Sequence, residues 1–251
     1  MHVGGPTYDF GGHRVLVTGG TRGLGLQIAR GFARHGASVL VTGTEPSPGV
    51  YDAPLRGFDY LPLDLTDEDS ILHVAAAAGR IDVLVNAAGA RLPSSGVAQD
   101  REFVAHSVRL GLLGPAQLVR RMRYRLAESP RRGGGAIVST HSLRDWFGLS
   151  HGADAHAAML DFTARLGAAW GSDGVRVNGV ASTVTVPRQS QLRVQIERNS
   201  GPLLTRTRTR RTGTWQDVAS SVLFLASSGA AYVTGQTLLV NGSGAGARLG
   251  S

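Results

Sequence analysis

Thr18-Gly19-Gly20-Thr21-Arg22-Gly23-Leu24-Gly25 is the stretch on which the reading of this chain turns. It follows a run of strand character, Arg14–Thr18, and opens a helical pattern, Leu24–His35. A strand, a glycine-rich turn and a helix in that order bring backbone N–H groups and the positive end of a helix dipole to one point, where a phosphate binds well. Glycine serves the tight turn, lets backbone approach a pyrophosphate, and lets the helix pack closely on the strand. Gly-rich turns are common, so the elements on both sides carry the argument more than the glycines do.

Outward from this loop the pattern repeats. Short runs of Val, Leu and Ile, with little alternation, suit strands covered on both faces. They predict strands over Arg14–Thr18, Ser38–Thr42, Asp59–Leu63, Asp82–Asn86, Ala136–Thr140, Val175–Val180 and Thr237–Val240. Helices are expected between them over Leu24–His35, Asp67–Ala78, Glu102–Ala127, Asp154–Gly171 and Trp215–Ala226. Alternating strands and helices imply βαβ units and a parallel sheet. The expected architecture is α/β and single-domain, with seven parallel strands and helices on both faces. Two connections break the rhythm. Thr44 to Gly57 holds Pro46, Pro48 and Pro54, a density that forbids a helix. Ser182 to Arg211 is long, polar and Arg-rich, and such loops are lids or disordered. Residues 1–12 read as a flexible lead, 13–251 as one domain, and 182–211 as a loop or lid on its substrate side.

Composition bounds the function. Cysteine is absent, which excludes disulfides and thiolate chemistry and fits a cytoplasmic location. No apolar run is long enough to span a membrane. Net charge is +8, and all 26 basic residues are arginine. A basic chain can bind nucleic acid. Here the arginines are scattered, and the denser stretches Arg120–Arg132 and Arg206–Arg211 hold a single aromatic, Tyr124, and so lack the series of interleaved aromatics that stacks on single strands. A small-molecule partner is the expectation, without nucleic acid, membrane or metal.

Beyond the glycine loop, four segments fall in order: Leu63-Asp64-Leu65-Thr66, Asn86-Ala87-Ala88-Gly89, Arg176-Val177-Asn178, and Thr234-Gly235-Gln236 followed by Leu239-Val240-Asn241-Gly242. With the spacing Gly-x-x-x-Gly-x-Gly, they resemble the short-chain dehydrogenase/reductase family from Arg14 to Gly242. The resemblance implies a Rossmann fold, a nicotinamide dinucleotide, and a homo-oligomer. It places the cofactor against Gly19, Thr21, Arg22, Gly23, Leu24, Gly25, Thr44, Asp64, Leu65, Asn86, Ala87, Gly89 and Thr183. Asp64 matches the carboxylate that meets the adenine. An acid ending the second strand would take the ribose 2′-hydroxyl of NAD and repel a 2′-phosphate. This chain has Val41-Thr42-Gly43-Thr44 there, with no acid before Glu45. Arg22 resembles the cation that NADP-preferring members carry; the alternative is a solvated surface arginine. NADP(H) is the expected cofactor.

The catalytic half departs from the family. Its members use a Tyr as proton donor, a Lys four residues later that lowers the Tyr pKa, a Ser thirteen residues earlier and an Asn in the preceding helix. Register from Ala136-Ile137-Val138-Ser139-Thr140 puts Ser142 on the family Ser, Ala155 on the Tyr and Met159 on the Lys. Leu112-Leu113-Gly114-Pro115 places Gly111 on the Asn. Two facts stand apart from any alignment: the chain has no Lys, and no Tyr lies between Tyr124 and Tyr232. Ser182-Thr183 also replaces the family's Pro-Gly. Ser142 is read as a catalytic hydroxyl or as a strand-end group satisfying local backbone. His151, one helical turn before Ala155, suits acid–base work near neutral pH. Asp145, Asp154 and His156 are further candidates, each with an ordinary loop or surface role as the alternative. Ala155, Met159 and Asp145 are expected to line the substrate pocket. Three functions remain open: a reductase of a small carbonyl or enone, a non-redox cyclase, isomerase or dehydratase that keeps NADP(H), and a non-catalytic NADP(H) sensor. A GC-rich, Lys-free enzyme suggests bacterial specialised metabolism.

Overall fold

The computed structural model describes residues 8–89, 101–142, 152–182, 185–186 and 208–242. Seven strands form one sheet in the order β3-β2-β1-β4-β5-β6-β9, and every pairing is parallel. They are β1 Arg14–Thr18, β2 Ser38–Gly43, β3 Asp59–Pro62, β4 Val83–Asn86, β5 Gly135–Ser142, β6 Val175–Ser182 and β9 Thr237–Val240. Two short strands, β7 Thr185–Val186 and β8 Gly213–Thr214, pair apart from the sheet at the two ends of the long polar connection. The helices are α1 Gly23–Arg34, α2 Glu68–Ala77, α3 Arg101–Val108, α4 Gly114–Ala127, α5 Gly152–Trp170 and α6 Trp215–Ala226. Strand order turns at β1 and β4, so the carboxyl ends of these two strands flank the crevice where α/β sheets hold ligands.

Side chains alternate across the sheet and feed two cores. Val15, Val17, Val85 and Val138 pack with Ile28 and Phe32 of α1 and Val222 of α6. Leu16, Leu84 and Ile137 pack with Ile71 of α2, Leu118 and Met122 of α4, and Trp170 of α5. Both faces are therefore covered, which is why the strands lack polar alternation. Among the described residues no helix is long and apolar enough to cross a membrane, and no group of three or more His, Cys, Asp or Glu side chains could hold a metal.

Two sequence segments fit each other. The Arg176 guanidinium is buried and donates to the carbonyls of Leu225 at 2.6 Å, Ala230 at 3.0 Å and Ala226 at 3.2 Å, while its Nε reaches Gly133 O at 3.1 Å. It thereby satisfies carbonyls that the end of α6 leaves without helical partners. Asn178 donates to Val233 O at 2.8 Å and accepts from Gln236 N at 3.0 Å, and Thr234 Oγ1 accepts from Val177 N at 3.1 Å. Arg176-Val177-Asn178 and Thr234-Gly235-Gln236 are thus two halves of one clasp that seats β9.

Four expectations need correction. The segment 1–12 is not all lead: Phe10 is fully buried, its ring 4.7 Å from that of Phe32, and its N–H donates to His35 O at 2.8 Å. An aromatic side chain with an apolar pocket at hand gains too much by burial to stay in water. The expected helix Glu102–Ala127 is interrupted by a π-helical turn over Arg109–Leu113. The proline-rich link excludes an α-helix but folds a 3₁₀ turn at Pro48–Val50, with Pro at its start where a missing N–H costs nothing. The sixth strand runs to Ser182, two residues past its expected end and onto the first residue of the expected lid. Several arginines of the basic stretch 120–132 are engaged within the fold: Arg121 pairs with Glu68 at 3.3 Å, Arg123 with Asp173, and Arg125 with the Gly79 and Ala76 carbonyls.

Candidate functional site

The glycine loop closes onto the end of β4. Gly19 has φ +64°, and a Cβ there would come within 2.8 Å of Ala88 Cα. A Cβ on Gly25 would overlap the Gly19 carbonyl. Both positions leave backbone where a side chain cannot fit. Thr18 Oγ1 accepts from Ala87 N at 3.1 Å and Ala88 N at 3.2 Å, stitching the ends of β1 and β4 together. Arg22 stands at the N-cap of α1 in extended conformation without a side-chain cap, and the first turn has no acidic residue. Anion-seeking N–H groups are thus left open at the loop, with Thr21 buried and Arg22 exposed beside them. Leu24 is half-buried against the α1 core.

At the adjacent corner, β2 ends in Gly43 and Thr44 is exposed. Tyr51 reaches back from the proline-rich link so that its hydroxyl accepts from Glu45 N at 2.9 Å. The Tyr60 hydroxyl donates to Glu45 O and lies 3.3 Å from that of Tyr51. Burial and the Tyr51 hydroxyl hold the Tyr60 pKa well above the usual phenol range. Asp64, exposed, binds Thr66 N at 2.8 Å and Thr66 Oγ1 at 2.7 Å, both through Oδ1. Leu65 is buried, and Gly114 lets α4 rest against its carbonyl, which a Cβ would overlap.

The third corner lies where β4, β5 and β6 end. Asn86 is buried; its Nδ2 donates to Ser139 Oγ at 3.2 Å, and Thr140 Oγ1 donates to its carbonyl at 3.2 Å. Its Oδ1 has no hydrogen-bond partner among the described residues. A buried amide oxygen is costly to leave unpaired. Ala87 and Gly89 continue this edge, and a Cβ on Gly89 would meet nothing within 4 Å. Ser142 is the last residue of β5, in register with Ser182. Ala155 and Met159 lie one turn apart on α5, and Met159 is buried. Gly111 falls in the π-helical turn, a distortion common at functional sites. Asp145, His151 and Thr183 lie outside the described residues.

Sequence reading overlooked three residues here. His141, next to Ser142, is buried and shares a face of β5 with Ser139 by alternation. A titratable ring inside a run of Val, Ser and Thr was the available signal. Tyr51 and Tyr60 gave none, because their meeting depends on how the proline-rich link folds back. A glycine cradle, an open helix start, an unpaired Asn86 oxygen and the Asp64 carboxylate along one sheet edge can together hold a dinucleotide.

Known proteins bear on this arrangement. A family profile described as enoyl-(acyl carrier protein) reductase matches residues 19–244. The gluconate 5-dehydrogenase of Gluconobacter oxydans is 28% identical over 94% of this chain and 95% of its own. The 3alpha-hydroxysteroid dehydrogenase of Mediterraneibacter gnavus is 31% identical over 91% of this chain and 95% of its own. A solved gluconate 5-dehydrogenase from Burkholderia cenocepacia J2315, in complex with NADP and tartrate, superposes with a TM-score of 0.76 at 25% identity, covering 94% of this chain and 96% of the other.

Proposed function

Because this chain belongs to the short-chain dehydrogenase/reductase family, we propose that it binds NADP(H) and acts on a small organic carbonyl or enone through a non-standard active site. The observation that carries the cofactor half is the buried Asn86 Oδ1, without a hydrogen-bond partner among the described residues, together with the cradle of Gly19 and Gly25. In this reading the N–H groups at the start of α1, with Thr21, Gly23 and Leu24, hold the pyrophosphate. Arg22 faces the 2′-phosphate, where a cation beside a dianion is favoured. Thr44 and Leu65 border the adenosine, Asp64 meets the adenine, and Asn86, Ala87, Gly89 and Thr183 line the nicotinamide side. When bound, the cofactor supplies or accepts a hydride.

The chain's own residues supply less acid–base chemistry than the family does. Ala155 and Met159 can neither donate a proton nor lower a neighbour's pKa, and Gly111 offers no amide for a relay. Ser142 orients the substrate oxygen, His151 is the candidate proton donor, and Asp145 is assigned to the substrate pocket. Loss of a general acid costs on the order of 10²–10⁴-fold, which still leaves room for a slow reductase. The same three small or apolar residues favour a second reading, a non-redox cyclase, isomerase or dehydratase that keeps NADP(H) as a binding element. The protein is further read as a cytoplasmic homo-oligomer. A hollow of about 320 Å³ lined by Arg120, Tyr124, Phe162 and Leu166 offers a face for a second copy.

Calorimetric titration with NADPH and NADH tests the cofactor assignment. NADPH is expected to bind at least about tenfold more tightly, a difference near 1.4 kcal/mol, and Arg22→Ala should remove most of that preference. Equal affinities, or tighter NADH, would refute it.

A further inference from the structure

Resting on the cofactor reading above, we propose that Tyr51 is a specificity-determining residue: its hydroxyl fills the space an acidic side chain at the end of β2 would need, and so bars the recognition that selects NAD(H). Gly43 is the last residue of β2, where an acid binding a ribose 2′-hydroxyl would stand. A Cβ on Gly43 would overlap the Tyr51 hydroxyl and come within 2.8 Å of Tyr51 Cζ and of Thr21 Cγ2. Thr21 belongs to the glycine loop and is buried. Tyr51 therefore sits in the corner between the strand end and that loop, although it comes from the proline-rich link.

The overlap cannot be relieved by swinging a free side chain aside. Each hydroxyl has one proton to donate. Tyr60 gives its proton to Glu45 O, so the 3.3 Å contact between the two hydroxyls uses the proton of Tyr51. The Tyr51 oxygen in turn accepts from Glu45 N at 2.9 Å. The three groups close a ring of hydrogen bonds in which every donor is used, and moving Tyr51 breaks two of the three. The same ring fixes the backbone of Glu45, the nearest acid to the strand end, whose residue is exposed. At the strand end itself the corner presents the two phenol hydroxyls, with Glu45 following them and Arg22 exposed on the glycine loop.

Four proteins test this proposal: wild type, Gly43→Asp, Gly43→Asp with Tyr51→Phe, and Gly43→Asp with Tyr51→Ala. Each is melted without cofactor and titrated calorimetrically with NADPH and NADH. Gly43→Asp alone should melt several degrees lower and bind both dinucleotides poorly. Adding Tyr51→Ala should restore much of the melting temperature and shift the NADPH:NADH affinity ratio toward NADH by about tenfold or more. Tyr51→Phe, which removes the hydroxyl and keeps the ring, should fall between. A role confined to bracing the loop would leave the affinity ratio unmoved. Gly43→Asp melting like wild type, or no shift of the ratio when Tyr51 is shortened, overturns the proposal. Wild type binding neither dinucleotide overturns the cofactor reading itself, and this claim with it. If aspartate is not tolerated in either background, Gly43→Ala with and without Tyr51→Ala asks the packing question alone. The methyl should cost more beside Tyr51 than without it, the approach to Thr21 Cγ2 being common to both backgrounds, and equal cost in both would again overturn the proposal.

Discussion

Replacing Arg176 with Met should destabilise the whole cofactor half from a point remote from the glycine loop. The guanidinium lies buried and donates to five carbonyls, those of Leu225, Ala226, Ser227, Ala230 and Gly133, at 2.6–3.4 Å. Burial lowers its pKa, yet an arginine stays charged in a protein. Hydrogen bonds from a charged donor contribute about 1.5–3 kcal/mol each, but five from one group do not add, and some freed carbonyls regain water. Methionine keeps much of the packing. A net loss of about 3–5 kcal/mol is expected, since several buried carbonyls lose their donor at about 1–3 kcal/mol each without full additivity. Set against the roughly 5–15 kcal/mol of a typical domain, that is a large fraction. Arg176→Lys keeps the charge but not the planar fork, so about half the loss should remain. Urea unfolding followed by far-ultraviolet circular dichroism measures both variants. A loss under about 1 kcal/mol for Arg176→Met would refute the capping argument. Because α6 packs against α1 through Val222 and Leu223, the variant should also bind nucleotide more weakly below its melting temperature.

Gly25→Ala puts a methyl group onto the Gly19 carbonyl; NADPH affinity should fall by about tenfold or more, and an unchanged affinity would sink the cradle. Acid should weaken the protein in a definite window. Asp217 is held at about 2 by Arg211, which bonds it at 2.7 and 2.8 Å, against an ordinary 3.8. Asp82, despite burial, is held below the usual range by the Arg14 N–H, Ser129 and Arg80. Folded pKa values below unfolded ones give stability that is complete above pH 3.8 and lost as pH falls toward 2. Unfolding free energies measured from pH 6 to 2.5 should therefore drop most below 4, and Asp217→Asn should flatten part of that slope. Ala155→Tyr with Met159→Lys places a phenol and an ammonium one turn apart, and the cation should lower the Tyr pKa. Partial NADPH-linked reduction of generic ketones is expected. The buried position of Met159 makes the new Lys costly without cofactor, so NADPH should raise the melting temperature of this double variant more than that of wild type.

Much of the framework was legible because it is locally encoded. Val, Leu and Ile runs marked the inner strands of the sheet, since strands covered on both faces have nothing else to be, whereas the edge strand β3 holds a single such residue, Leu61. Their ends were harder. β5 and β6 each run two residues further, through His141-Ser142 and Ala181-Ser182, where small or polar side chains carry no strand signature. Phe10 sits among glycines and polar residues with no period to reveal that its pocket is made by α1. The corner at Gly43 shows the same limit from the other side. An absent acid could be read from sequence, but the Tyr51 hydroxyl that takes its place is eight residues away and arrives through a folded link.

The π-helical turn has a consequence for how residues are counted through this region. From Arg101 to Ala127 the rod is continuous, but the Gly114 N–H bonds to Arg109 O, five residues back instead of four. One residue of slack is stored there, and everything beyond it is rotated by about 100° relative to an unbroken helix. Numbered backward from α4, Gly111 is the counterpart of the relay residue; numbered forward from α3, the count slips by one. The turn is thus a natural site for a single-residue deletion. Removing Gly111 would let the helix heal into regular winding without lengthening or shortening either flanking connection, at the cost of bringing Ser107 and Leu118 into a new mutual phase.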